Sequence, residues 1–189
     1  MLIPMLIDHP QVIGPVLRGT PGWVWGLLAA LVALGVTQLR DRQASLVRVS
    51  IMPVAMTGFA IWGLVGAFSA ASAFGYMMIA WMLVAAVVFA GIAMTAAPKG
   101  TEYDAAQRTF FLPGSWVPLA LILAVFLTRY VVNIDIAMQP SLKQDGSYMA
   151  VVAGIYGIST GLFVGRAARL WRLAAERSGF GFLLQRDPW

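Results

Sequence analysis

At 189 residues the chain has the length of one ordinary domain, but 60% of its residues are hydrophobic and only 11% are charged. About a quarter of the residues in a soluble domain are charged, so this chain lacks the polar material to coat a globule in water. Its net charge of +5 comes from Arg and Lys flanking apolar blocks, which speaks for membrane topology and lipid headgroups and against nucleic acid. Cysteine is absent, and with it disulfides, thiolate catalysis and Cys-ligated metal or iron–sulfur sites.

Residues 1–20 read as an extracytoplasmic or interfacial segment. The apolar run 2–7 is short, follows no Lys or Arg and is broken by Pro4, so a cleaved signal peptide is not expected. A short interfacial stretch over 11–18 is expected to lead into the first span. His9 is the one histidine of the chain, which leaves bis-His haem ligation, a His-based zinc site and a buried Ser-His-Asp triad without their residues. Beside Asp8 it is expected to be solvated.

Five apolar blocks follow, over 22–39, 51–68, 76–96, 117–138 and 148–166. Each is near the ~20 residues needed to cross a ~30 Å hydrocarbon core. The fold expected is an all-α, polytopic transmembrane bundle of five helices, one membrane domain over 21–173 with a cytoplasmic tail over 174–189. Pro21 suits the first turn of span one, and Trp23 and Trp25 suit its headgroup boundary. Pro53 is expected in the first turn of span two, where a missing N–H costs little. The small, uncharged link 69–75 predicts a tight pair between spans two and three. Span three ends at Ala97-Pro98-Lys99-Gly100, and a solvated loop over 101–116 carries Glu102, Asp104 and Arg108 towards Phe110, Phe111 and Trp116. Ser115 is the expected N-cap of span four. Span five is expected to continue through Leu173 as an amphipathic extension.

Counting Lys and Arg fixes the expected orientation. With the N-terminus outside and the C-terminus in the cytoplasm, Arg40, Arg42, Arg48, Lys99, Arg108, Arg166, Arg169, Arg172, Arg177 and Arg186 lie inside, and Arg18 and Lys143 lie outside. Ten against two is a strong bias, and an even number of spans would break it.

Two stripes of small residues at intervals of four, Gly22-Gly26-Ala30 and Gly157-Gly161-Gly165, let helix backbones approach closely. Packing within one bundle is the expected use, and a homodimer seam is the alternative. The polar residue of most interest is Arg129, about 18 Å along span four from Val117 at ~1.5 Å per residue. Asn133 lies one turn on along the same face, whereas Asp135 lies a third of a turn away and cannot pair with Arg129 on a straight helix. Thr57, Ser159 and Thr160 are candidates to line the same interior. If span four ends near Tyr130, Arg129 is instead a boundary residue; if it runs through Met138, Arg129 lies inside the membrane. In the loop, Asp104, Arg108 and Trp116 are candidate contacts for a cytoplasmic partner, and two carboxylates two residues apart make no metal cage. Trp62 and Trp81 are expected to serve packing.

The run Tyr103-Asp104, Arg108, Phe110, then Leu112-Pro113-Gly114-Ser115-Trp116, Arg129-Tyr130 and Gly161-Leu162-Phe163-Val164-Gly165-Arg166, with Trp23-Val24-Trp25 near the start, resembles a family of small bacterial inner-membrane proteins known as a domain of unknown function. The resemblance implies a multi-pass inner-membrane location and supplies no activity, cofactor or active-site residue. The function expected is that of a non-enzymatic accessory, assembly or interaction component, since no constellation of acid, base, nucleophile or metal ligand stands in the sequence. No cofactor or metal is expected. The expected partners are membrane lipids, other membrane proteins or a second copy of the chain. Two readings stay open beside it: a small transporter or channel subunit with a polar path near Arg129, and a membrane-embedded enzyme acting on lipid or quinone.

Overall fold

The computed structural model describes residues 13–98, 100–105 and 107–184; His9, Lys99, Arg186 and most of the 1–20 segment lie outside them. A short helix α1 (Ile13–Gly19) leads into α2 (Gly22–Val36), which tightens into a 3-10 turn over Thr37–Leu39. Then come β1 (Arg42–Ser45), α3 (Leu46–Phe68), α4 (Phe74–Ala93), β2 (Glu102–Asp104), β3 (Thr109–Leu112), α5 (Val117–Met138), a 3-10 turn over Pro140–Gln144, and α6 (Gly146–Leu184). Among the described residues five helices are long and apolar enough to cross a membrane. Their outward faces are apolar too: Val54, Leu83 and Val87 are 71%, 61% and 72% exposed, a surface made for hydrocarbon rather than water.

The tightest joint is between α4 and α6. A Cβ added at Gly157 would come within 2.9 Å of the Trp81 carbonyl oxygen, one at Gly161 within 2.7 Å of that of Ala85, and one at Gly165 within 2.8 Å of the Ile92 Cβ. The stripe therefore works within the chain, and the seam that a homodimer through Gly157, Gly161 and Gly165 would need is already filled by α4. Gly22 and Gly26 have open space on the same test, and Ala30 is exposed. Helices α2 and α5 meet through Gly35, whose missing Cβ leaves room for Leu119. The common core gathers Leu64 and Phe68 of α3, Met77 and Trp81 of α4, Ile122 and Val125 of α5, and Met149, Val152 and Tyr156 of α6.

The all-α expectation misses one feature. The link after α2 and the loop after α4 are not free: they pair into an antiparallel sheet of order β1-β3-β2 at one end of the bundle. The register sets Ala44, Phe110 and Tyr103 side by side on one face, and that face is buried against Leu46, Val49, Leu170, Leu173 and Ala174. Strands of three or four residues are too short for alternation to reveal them, and their partners lie far apart in sequence. Residue Ser45 ends β1 and caps α3 at once, its Oγ accepting from the Arg48 N–H at 3.3 Å. Because α3 starts there, Pro53 is buried beyond the first turn instead of within it. Helix α5 is capped at Trp116 rather than Ser115, whose Oγ accepts from the Val117 N–H at 3.3 Å.

The far end of the bundle is closed by polar links. Thr20 and Tyr130 hydroxyls lie 2.6 Å apart, which sets the start of α2 level with Tyr130. Helix α5 nevertheless runs unbroken to Met138, so its last two turns rise beyond the start of α2 and pack with the Pro140–Gln144 turn and the first turns of α6. The glycine joint can be tested by substitution. Gly161→Leu must push α4 and α6 apart and is expected to cost about 1–3 kcal/mol, read as a lowered unfolding temperature in detergent. Gly26→Leu, on the open stripe, is expected to leave that temperature unchanged.

Candidate functional site

Two places gather polar side chains, one at each end of the bundle. At the far end, Arg129 projects from α5 onto α3. Its guanidinium carbon sits 4.1 Å from the centre of the Trp62 ring and 4.8 Å from that of Phe59. The Nη1 atom is buried without a hydrogen-bond partner, beside Gly63 and the Tyr156 hydroxyl: a Cβ at Gly63 would lie 2.8 Å from the one and 3.2 Å from the other. Phe59, Trp62 and Gly63 fall at i, i+3 and i+4 on α3, so one helical face presents both rings and the glycine against which the guanidinium lies. An arginine costs at least about 2.5–3.5 kcal/mol at the centre of a bilayer, and less towards its edges. Two desolvated cation–π contacts return up to about 2 kcal/mol each, so the rings offset a charge burial that no carboxylate among the described residues is seen to neutralise.

The cluster expected from sequence does not come together. Asn133 is exposed and its Nδ2 donates back to the Arg129 carbonyl at 2.9 Å. Asp135 is 5% exposed and turns to α6, where its Oδ2 accepts from the Tyr148 hydroxyl at 3.1 Å. Tyr148 itself stacks at a tilt on Phe68, centroids 6.3 Å apart, and its N–H, with that of Ser147, donates to Oδ1 of Asp145 at 3.1 and 2.8 Å. Arg129 and Asp135 thus belong to different contacts of α5. Of the interior hydroxyls, Ser159 donates to the Ile155 carbonyl at 2.9 Å, and the Oγ1 atoms of Thr57 and Thr160 are buried without a partner. Tyr156, rather than Ser159 or Thr160, is the α6 residue that reaches Arg129. Nothing in the sequence singled out Tyr156 or Gly63. The spacing of Phe59, Trp62 and Gly63 was the one available signal.

At the other end lies the sheet. Asp104 Oδ1 accepts from the Gln107 N–H at 3.2 Å, and Arg108 takes a left-handed backbone, φ 52°, so both residues shape the β2–β3 hairpin. Trp116 stands at the N-cap position of α5 without a capping side-chain hydrogen bond and is 69% exposed. The Leu112-Pro113-Gly114-Ser115-Trp116 run has a structural reason. Gly114 donates to Asp41 Oδ1 at 2.8 Å and Ser115 to the Gln38 carbonyl at 2.9 Å, and the Leu39 carbonyl occupies the space a Cβ at 114 would take. On the open face of the sheet a groove of about 290 Å³ is lined by Gln43, Glu102, Asp104, Thr109, Phe111 and Arg177. Burial first, and the Arg48 cation second, hold the Arg42 guanidinium below its ordinary pKa. Among the described residues no three His, Asp or Glu side chains stand close enough to hold a metal ion.

Two contacts behind α6 are arginine caps. Arg172 donates to the Ala93 and Thr95 carbonyls at 2.9 and 3.0 Å, and Arg169 to Thr95 Oγ1 and the Ala96 carbonyl at 3.0 and 3.2 Å. They satisfy carbonyls that the end of α4 leaves free.

Removing the Tyr148 hydroxyl leaves Asp135 short of a buried donor. Tyr148→Phe is expected to lower stability by about 1–3 kcal/mol, measured by thermal unfolding in detergent, with Asn133→Ala as the neutral control on the same helix.

No curated protein and no solved structure matches the chain. Residues 1–180 match the Family of unknown function (DUF6622), and a match over almost the whole chain means that this protein belongs to that family.

Proposed function

We propose that the chain crosses a bacterial inner membrane five times, with its N-terminus outside and its C-terminus in the cytoplasm, and that it works there as an accessory or interaction component. The orientation is supported by ten Lys and Arg on the inner side of the apolar blocks against two on the outer. It puts the sheet in the cytoplasm. The observation that carries the functional reading is that sheet. Two connections with no need to be ordered are instead hydrogen-bonded together and fastened to α6, and their open face presents Gln43, Glu102, Asp104 and Thr109 around the half-exposed Phe111. A rigid, polar face with an aromatic centre is the composition of a protein-binding surface.

A second reading, a small transporter or channel subunit, is favoured by the unpaired Nη1 of Arg129. Solute flux into proteoliposomes that disappears in Arg129→Gln would replace the accessory reading with that one. A membrane-embedded enzyme acting on lipid or quinone has no contact in its favour beyond the same residue.

The absence of cysteine makes the orientation easy to test. In whole cells an impermeant maleimide is expected to label Lys143→Cys and to leave Gln107→Cys unlabelled until the membrane is opened; the reverse pattern overturns the topology. For the partner, a photo-crosslinking residue at Phe111 is expected to capture one discrete protein in living cells. Capture of nothing at 111, or the same adducts from a lipid-facing position such as Val87, would sink the platform reading.

A further inference from the structure

We infer that Arg129 is the anchor of a binding site for the phosphate of a membrane phospholipid, entered sideways from the bilayer between α3 and α5. The inference rests on the membrane placement proposed above and is independent of the role given to the sheet.

An arginine keeps its charge at every physiological pH and offers five N–H donors in a planar fork. Here the guanidinium carbon lies over the rings of Trp62 and Phe59, at 4.1 and 4.8 Å from their centres. Such rings stabilise the charge but accept no in-plane hydrogen bond worth the name. The edge of the fork is what remains, and there Nη1 is buried and has no partner. Among the described residues no ion pair is seen between Arg129 and a carboxylate; the salt bridge seen there joins Arg172 to Glu176. The Tyr156 hydroxyl lies beside the same glycine: a Cβ at residue 63 would meet Nη1 at 2.8 Å and that hydroxyl at 3.2 Å, so only glycine lets the two sit there. The fork therefore keeps a donor nitrogen that no acceptor meets, and the group that completes a planar fork is an anion with at least two oxygens.

Where the site lies names the anion's source. Trp62 is 61% exposed, so one wall of the site is the lipid-facing surface of the bundle. Asn133, also exposed, carries a polar side chain one turn further along that surface. The Thr20–Tyr130 contact sets Arg129 at the depth where α2 begins, and Trp23 and Trp25, 69% and 42% exposed, lie within the first turn of that helix. Exposed tryptophans collect where headgroups meet hydrocarbon. A phosphate ester is the anion that the bilayer supplies at that depth, and its diester oxygens match the guanidinium fork.

The test uses the full chain, purified in mild detergent, stripped of lipid and offered phosphatidylglycerol, a diacylglycerol with the same chains, or inorganic phosphate. Native mass spectrometry reads what stays bound. The wild type is expected to retain phosphatidylglycerol about tenfold better than diacylglycerol, and Arg129→Gln to lose that preference. Arg129→Lys, which keeps charge without the fork, is expected to fall between them. Gly63→Val, which keeps the charge but pushes the guanidinium from its place, is expected to bind as poorly as Arg129→Gln. Equal retention of the two lipids by the wild type, or an unchanged preference in the variants, overturns the proposal. Displacement of phosphatidylglycerol by inorganic phosphate assigns the site to a soluble anion and overturns the lipid source. Should Arg129→Gln not fold, Arg129→Lys and Gly63→Val decide the matter. Loss of lipid preference leaves the cysteine-labelling result untouched, so the two proposals fail separately.

Discussion

Helices surrounded by hydrocarbon gain nothing by hiding leucine from lipid, and what holds them together is close contact between backbones. In this chain that contact is the groove along Gly157, Gly161 and Gly165, into which Trp81, Val84, Val88 and Ile92 of α4 fit at van der Waals distance. The arrangement of everything else follows from α6 being fixed there. Its first turns hold Tyr148 against Asp135 and Phe68, its middle brings Tyr156 to Arg129, and the turns beyond the glycines carry Arg169 and Arg172 to the open end of α4. Still further on, Leu170, Leu173 and Ala174 form the floor on which the sheet rests. A helix of 39 residues is roughly 58 Å long, about twice a hydrocarbon core, and the excess length is what reaches the sheet.

The charged groups inside the bundle and the Ser159 hydroxyl are handled near their own positions rather than in a shared network, while the Thr57 and Thr160 hydroxyls are buried without a partner. Asp135 takes the hydroxyl of Tyr148, the Ser159 hydroxyl returns to its own helix, and Arg129 rests on two rings. These are solutions of different kinds. A tyrosine hydroxyl meets an acceptor with a donor, but rings stabilise a cation while leaving its donors unmet.

The sequence shows the large features because they depend on composition alone. Five apolar blocks, the prolines that bound them and the distribution of Lys and Arg are each visible without knowing what touches what. The glycine stripe was visible too, though only the structure gives its neighbour, since a stripe states that a backbone comes near and not whose. The sheet was hidden for a plainer reason. Residues 42–45 and 109–112 carry no strand signal strong enough to stand alone, and they are strands because Leu112 meets Arg42 and Thr109 meets Ser45 across two intervening helices. The polar trio Arg129, Asn133 and Asp135 was read from its position on one helix, but a helix points its residues in several directions. Asp135 faced α6, Arg129 faced α3, and Asn133 faced outward.

By itself the sequence determined the class of environment, the apolar blocks and the sense in which charge is distributed about them, because transfer into hydrocarbon and attraction to a charged surface act on residues one at a time. Only the tertiary structure decided the sheet, the α4–α6 joint and the setting of Arg129 among Phe59, Trp62, Gly63 and Tyr156. Those depend on pairs of residues far apart along the chain, and pairwise contact is a property that neither composition nor local spacing contains.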